Sequence, residues 1–82
     1  MRILWDEPKR LANLETHGLD FADLTPDFFA AAYVGSARRA RLRALGRVNG
    51  RPVVVIFAAL GTEGCSVISM RTANPQERAL IR

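Results

Sequence analysis

Eighty-two residues with 49% apolar side chains make one domain over 1–82, and a chain this short buries only about 60% of its unfolded surface. No apolar run reaches the ~20 residues that span a bilayer, a single cysteine (Cys65) cannot form an internal disulfide, and no Cys/His cluster has zinc spacing. A membrane span, a disulfide scaffold and a structural zinc site are thereby excluded, and neither metal nor cofactor is expected. The net charge is +4, and eleven of the twelve Lys and Arg side chains are arginine.

Arg2-Ile3-Leu4-Trp5 reads as a short first strand. Asp6 and Glu7 interrupt any leader-like apolar run, and with unpaired cysteine this favours the cytoplasm. A helix follows. Asp6 has the chemistry of an N-cap, Glu7 and Pro8 suit the first turn, and Gly18 is a left-handed stop after His17. Leu11 and Leu14 are expected to form its buried face. Lys9, Asn13 and His17 recur every four residues and so form one stripe. The chain's only lysine and only histidine lie in it. Imidazole ordinarily titrates near neutrality, so a histidine beside a cation and an amide is a candidate proton-transfer group.

Phe21 and Leu24 open a second apolar face, and Thr25-Pro26-Asp27 caps a second helix through Phe28 and Phe29 to about Ala32. Tyr33-Val34-Gly35 is extended and leads to a turn at Ser36. Arg39 to Leu45 alternates charged and apolar residues, the period of a strand with Arg39, Arg41 and Arg43 on its wet face. Asn49-Gly50 marks a two-residue hairpin. Pro52 to Leu60 is a continuous apolar run and therefore a central strand. Gly61 to Gly64 turns the chain, and Cys65 to Arg71 returns as another strand. Asn74-Pro75-Gln76-Glu77 has capping-box spacing and begins a two-turn helix ending at Arg82. The class is α+β, in the order β-α-α-β-β-β-β-α, with a small antiparallel sheet packed by helices.

Six arginines (Arg38, Arg39, Arg41, Arg43, Arg47 and Arg51) fall within fourteen residues that contain no acid. Arginine's planar fork matches phosphate bidentately. Such a segment points to nucleic acid or an acidic protein. Codon bias accounts for a high arginine count in general, but it does not cluster charge.

The pattern Trp5-Asp6-x-x-Lys9-x-x-x-Asn13-x-x-x-His17-Gly18-x-x-Phe21 resembles the BrnT family of type II toxin–antitoxin systems, small RelE-like ribonucleases. The resemblance continues through Arg41 and Gly46, the Val53–Phe57 strand, Val67-Ile68-Ser69-x-Arg71-x-Ala73, and Glu77-Arg78. It implies a RelE-like fold and metal-independent RNA cleavage that arrests growth. It also implies a BrnA-like, DNA-binding antitoxin as partner, with DNA touched only through that complex and no membrane involved. On this reading His17 moves protons, Arg41 and Arg71 stabilise the phosphate, and Lys9 supports them. Asn13, Arg39, Arg43 and Arg78 contact RNA, and Arg39, Arg41 and Arg43 also meet the antitoxin. Thr16 and Thr72 stand where many family members carry a basic residue, and Arg39-Ala40 where an acid is common. These departures keep a second reading open: a module that binds RNA or antitoxin without cutting. Each residue also has a structural alternative. His17 suits a helix C-terminus electrostatically, Asn13 suits a buried hydrogen bond, Trp5 a core anchor and Cys65 a small buried hydrophobe.

Overall fold

The computed structural model describes residues 1–81. Strand β1 (Arg2–Trp5) leads into helix α1 (Glu7–His17), and a short 3-10 turn (Phe21–Asp23) precedes α2 (Pro26–Ala31). Four strands follow, β2 (Tyr33–Ser36), β3 (Leu42–Val48), β4 (Arg51–Leu60) and β5 (Gly64–Thr72), then the single-turn α3 (Pro75–Arg78). The α+β class and the element order are those expected. The last helix is shorter than the two turns expected, and Arg82, where it was to end, lies outside the described residues.

One five-stranded sheet runs β1-β5-β4-β3-β2. It is mixed rather than wholly antiparallel. Strands β2 to β5 pair antiparallel, but β1 joins β5 in parallel, Arg2 to Gly64 through Trp5 to Val67. The reason is connectivity: the β1–β5 link passes through the helices and three strands, so no hairpin constrains its direction. The apolar run of β4 sits at the sheet's centre, with Val53, Val54 and Val55 wholly buried. Asn49 (φ 51°) and Gly50 (φ 80°) turn β3 into β4, both with the positive φ such a hairpin needs.

Successive side chains of a strand face opposite ways, and the two faces are unequal. Ala44, Val53, Val55, Phe57, Val67 and Met70 meet Leu19, Phe21, Leu24, Phe28 and Phe29 in the main core. The Phe28, Phe29 and Phe57 rings pack edge to face at 5.2 and 5.1 Å. Thr25 holds α2 in place by accepting the Phe28 N–H at 3.2 Å, as the sequence suggests. Gly46 lies directly beneath Phe28: a Cβ there would fall 2.8 Å from the ring. Cys65 is buried in the same core. The opposite face carries a smaller cluster of Leu45, Val54 and Ala73, with Ile56 and Ile81 against it. Much of that face is open.

Helix α1 departs from expectation. Leu11 and Leu14 do not form its buried face: they are 52% and 37% exposed, while Asn13 is 8% exposed. The sheet explains why. Strand β1 ends at Trp5, so past Val67 that edge of β5 has no strand partner. Asn13 takes over. Its Oδ1 accepts the Met70 N–H at 3.0 Å and its Nδ2 donates to the Leu19 carbonyl at 3.1 Å. An amide thus pins the helix where apolar contact was expected. Gly18 stops α1 in the left-handed region at φ 67°. Asp6 sits at the N-cap position but makes no side-chain cap bond. Instead Arg10 clasps Glu7 at 2.7 and 2.9 Å and reaches both Asp20 oxygens at 3.1 Å. Trp5 donates to the same Glu7 at 3.0 Å and packs edge to face on Phe21 at 6.5 Å. Trp5 is the anchor of this corner.

Candidate functional site

The basic segment is built around a tight turn between β2 and β3. Ser36 pairs with Leu42, so residues 37–41 must reverse the chain. The Arg41 N–H donates to the Arg38 carbonyl at 3.2 Å, and the Ala37 N–H to the Arg41 carbonyl at 2.9 Å. Arg39 and Ala40, the two central residues, both have φ of 60°. That backbone favours glycine, and each such residue costs about 1–2 kcal/mol. Arg39 and Arg41 are therefore not on a strand, contrary to the expected alternation: β3 begins only at Leu42, and of the three arginines expected there it holds Arg43 alone. The arginines nonetheless converge. Arg38, Arg39, Arg41 and Arg43 line one open cleft of ≈ 630 Å³ with Ser36, Ala37 and Ile56. Arg43 and Ile56 are register partners, so the cleft opens on the sheet face opposite the helices.

Arg71 belongs to the same open face, paired across to Val54. Its fork is already engaged: Nη1 and Nη2 donate to the two Glu77 oxygens at 2.7 and 2.8 Å. Glu77 Oε1 also accepts the Asn74 N–H at 2.9 Å, while Asn74 caps α3 by accepting the Glu77 N–H at 2.8 Å. The capping box is as expected, but the sequence did not reveal that its glutamate also grips Arg71. The Arg71 hydrogen bonds hold the Glu77 carboxyl at about 2, against the opposing pull of burial. The positive field of Arg43 also contributes, which links the cleft electrostatically to the Arg71–Glu77 pair. Arg78, on α3, is exposed and makes no side-chain hydrogen bond among the described residues.

His17 and Lys9 lie elsewhere. They flank a second, shallow depression with Ala12, Asn13, Thr16 and Ile68, at the β5 edge where α1 packs. Ile68 is the extra residue of a bulge, since Ile56 pairs with Ser69 but Phe57 with Val67. Among the described residues no arginine lines this depression, and His17 does not line the arginine cleft. The structure brings Lys9 together with His17, and Arg39 with Arg41 and Arg43. It does not bring the imidazole and the arginines into one pocket. Asn13, expected to touch RNA, has its amide committed to Leu19 and Met70. Sequence reading missed Arg38 as a cleft residue, because the turn's backbone carries no glycine signal. It also missed Arg10, for which the i,i+3 spacing from Glu7 was the available clue. Among the described residues no group of three His, Cys, Asp or Glu side chains could hold a metal ion. No described helix is long and apolar enough to cross a membrane.

A family model described as the ribonuclease toxin BrnT of type II toxin–antitoxin systems matches residues 5–77. The chain belongs to the BrnT family. The crystal structure of the Brucella abortus ribonuclease toxin BrnT agrees, with a TM-score of 0.84 at 52% sequence identity over 90% of this chain and 97% of that one. A comparison with curated proteins finds no match. As a BrnT toxin of a type II system, the chain has an antitoxin for a partner. The matched region contains both depressions and ends at Glu77, so it includes the glutamate that grips Arg71.

Proposed function

We propose that this BrnT-family toxin arrests growth by cutting RNA without a metal ion, and that a BrnA-like, DNA-binding antitoxin neutralises it in the cytoplasm. The observation that carries this reading is the arginine cleft: Arg38, Arg39, Arg41 and Arg43 line one concavity, which opens on the sheet face that also carries Arg71. RNA cleavage without metal begins when a ribose 2′-oxygen attacks the adjacent phosphorus. The bond to the 5′-oxygen then breaks, leaving a 2′,3′-cyclic phosphate. The phosphoryl group gains negative charge on the way, and cations already in place stabilise it most. Arg41 and Arg43 hold that charge in the cleft, with Arg38 and Arg39 gripping the flanking backbone. Arg71 joins the phosphate contacts when RNA draws it from its pair with Glu77, which balances its charge in the free chain. Arg78 extends the basic surface.

His17, with Lys9 beside it, is the candidate acid–base group. Its depression sits on α1 at the β5 edge and the cleft at β3 on the face opposite the helices, so at least two strand spacings, roughly 10 Å, separate them. A role for His17 therefore requires RNA that crosses the sheet. That separation favours a second reading, in which the chain binds RNA or antitoxin through the arginines without cutting. His17→Ala separates the two. Under the first reading it abolishes cleavage with the fold intact. Under the second, RNA binding survives it and weakens with added salt. Inducing the chain in a bacterium should stop growth and coexpressing the antitoxin should restore it. Normal growth with intact RNA despite abundant protein refutes the toxin reading.

A further inference from the structure

An apolar groove adjoins the arginine cleft along strand β2, and nuclease chemistry has no use for it. It has a volume of ≈ 310 Å³ and is lined by Ala32, Tyr33, Leu45, Arg47, Leu80 and Ile81 among others. Tyr33 and Leu80 are 56% and 51% exposed, a high cost for large apolar groups on a small domain. The groove meets β2 at its first residue, Tyr33, and the arginine cleft meets it at its last, Ser36. Strand β2 is itself the sheet's outer edge, paired only with β3. Folded proteins usually guard such an edge with charge, proline or a bulge. Tyr33-Val34-Gly35-Ser36 has none of these. Val34 is 47% exposed, and nothing lies over Gly35 where a side chain would project, so neither residue is covered.

We propose that the antitoxin adds an extended, acidic segment to the free edge of β2. One apolar side chain seats beside Tyr33, Leu45 and Leu80, and its carboxylates lie over Arg47 at one end and the arginine cleft at the other. This rests on the antitoxin partnership of the family. It goes further in naming the edge and the chemistry that occupies it. Charge complementarity favours that occupant: the surface flanking β2 presents Arg38, Arg39, Arg41, Arg43 and Arg47, and among the described residues no acidic side chain lines either concavity. An RNA would answer the arginines but not the apolar groove. An added strand supplies backbone hydrogen bonds for affinity, and the groove supplies specificity. Inhibition then follows by blockage, because the segment that holds the edge also covers the phosphate-binding arginines.

The test uses the purified cognate antitoxin. Amide hydrogen exchange at residues 33–36 should slow at least tenfold in the complex. Tyr33→Glu and Leu80→Glu, both at exposed positions, should each weaken antitoxin binding at least tenfold. Binding of a non-cleavable 2′-O-methyl RNA should stay within twofold. Thermal melts confirm that each variant folds. Unchanged antitoxin affinity in both variants, or no protection of β2, overturns the proposal. Self-association of the free chain that Tyr33→Glu abolishes would assign the edge to a second copy. An equal loss of RNA binding would assign it to RNA. Antitoxin binding is read here without RNA cleavage, so failure of the nuclease reading and failure of this one are distinguishable.

Discussion

Asn13→Ala is the sharpest test of how α1 is held. Asn13 lies on an exposed-looking stripe in the sequence, yet its amide closes two bonds in a nearly dry place, to Leu19 at 3.1 Å and from Met70 at 3.0 Å. Truncation leaves a carbonyl and an N–H without partners. Each unmade bond of this kind costs about 1–3 kcal/mol. Alanine returns about 0.5 kcal/mol through helix propensity. The net loss is about 1.5–5.5 kcal/mol, against a total stability of about 4–12 kcal/mol for a chain of this length. Urea unfolding followed by circular dichroism measures it. With a slope of roughly 1 kcal/mol/M, the midpoint should fall by about 1.5 M or more while the slope stays the same. Asn13→Asp should not rescue, because it retains the acceptor for Met70 but sets an oxygen against the Leu19 carbonyl. A loss below about 1 kcal/mol, or abolished RNA cleavage with unchanged stability, refutes the structural role and returns Asn13 to the RNA surface.

Gly46→Ala should destabilise by about 1–3 kcal/mol, because the new methyl enters the space of the Phe28 ring; thermal melting reads it. Ala40→Gly should stabilise by about 1 kcal/mol by relieving the left-handed turn, raising the melting temperature by roughly 4–8 °C. Glu77 gives a pH dependence of known sign. Its carboxyl is held down from 4.5 to about 2, so the stability from the Arg71 pair is full above the ordinary carboxylate range. It is lost as pH falls from about 4.5 toward 2. Glu77→Gln should flatten the part of the acid-unfolding slope in that interval; an unchanged slope in urea titrations there contradicts the pairing.

The fold was legible wherever one residue decides local backbone. Gly18, Thr25-Pro26, Asn49-Gly50 and the Asn74–Glu77 box each encode their own geometry, and the unbroken run before Leu60 could only be a central strand. Two features were not legible because distant partners decide them. The parallel direction of β1 depends on where β5 returns, and Asn13 became buried because β1 stops short beside β5. The Arg39–Ala40 turn hid for a different reason: its backbone runs against local preference, so the charge alternation read through it as strand. At the site, the sequence located the arginine cluster but not the grip of Glu77 on Arg71. It could not show that His17 and the arginines line separate depressions, since that distance is set by the width of the sheet.

The most direct measurement is cleavage of a defined RNA by the purified chain in EDTA, comparing the parent with Arg41→Ala and Arg43→Ala. The parent should cut and leave 2′,3′-cyclic phosphate ends, and each substitution should slow cutting about 100-fold or more while melting as the parent does. An inactive parent, or Arg41→Ala and Arg43→Ala variants that cut at the parent's rate, would contradict an arginine cleft as the seat of the toxin's chemistry.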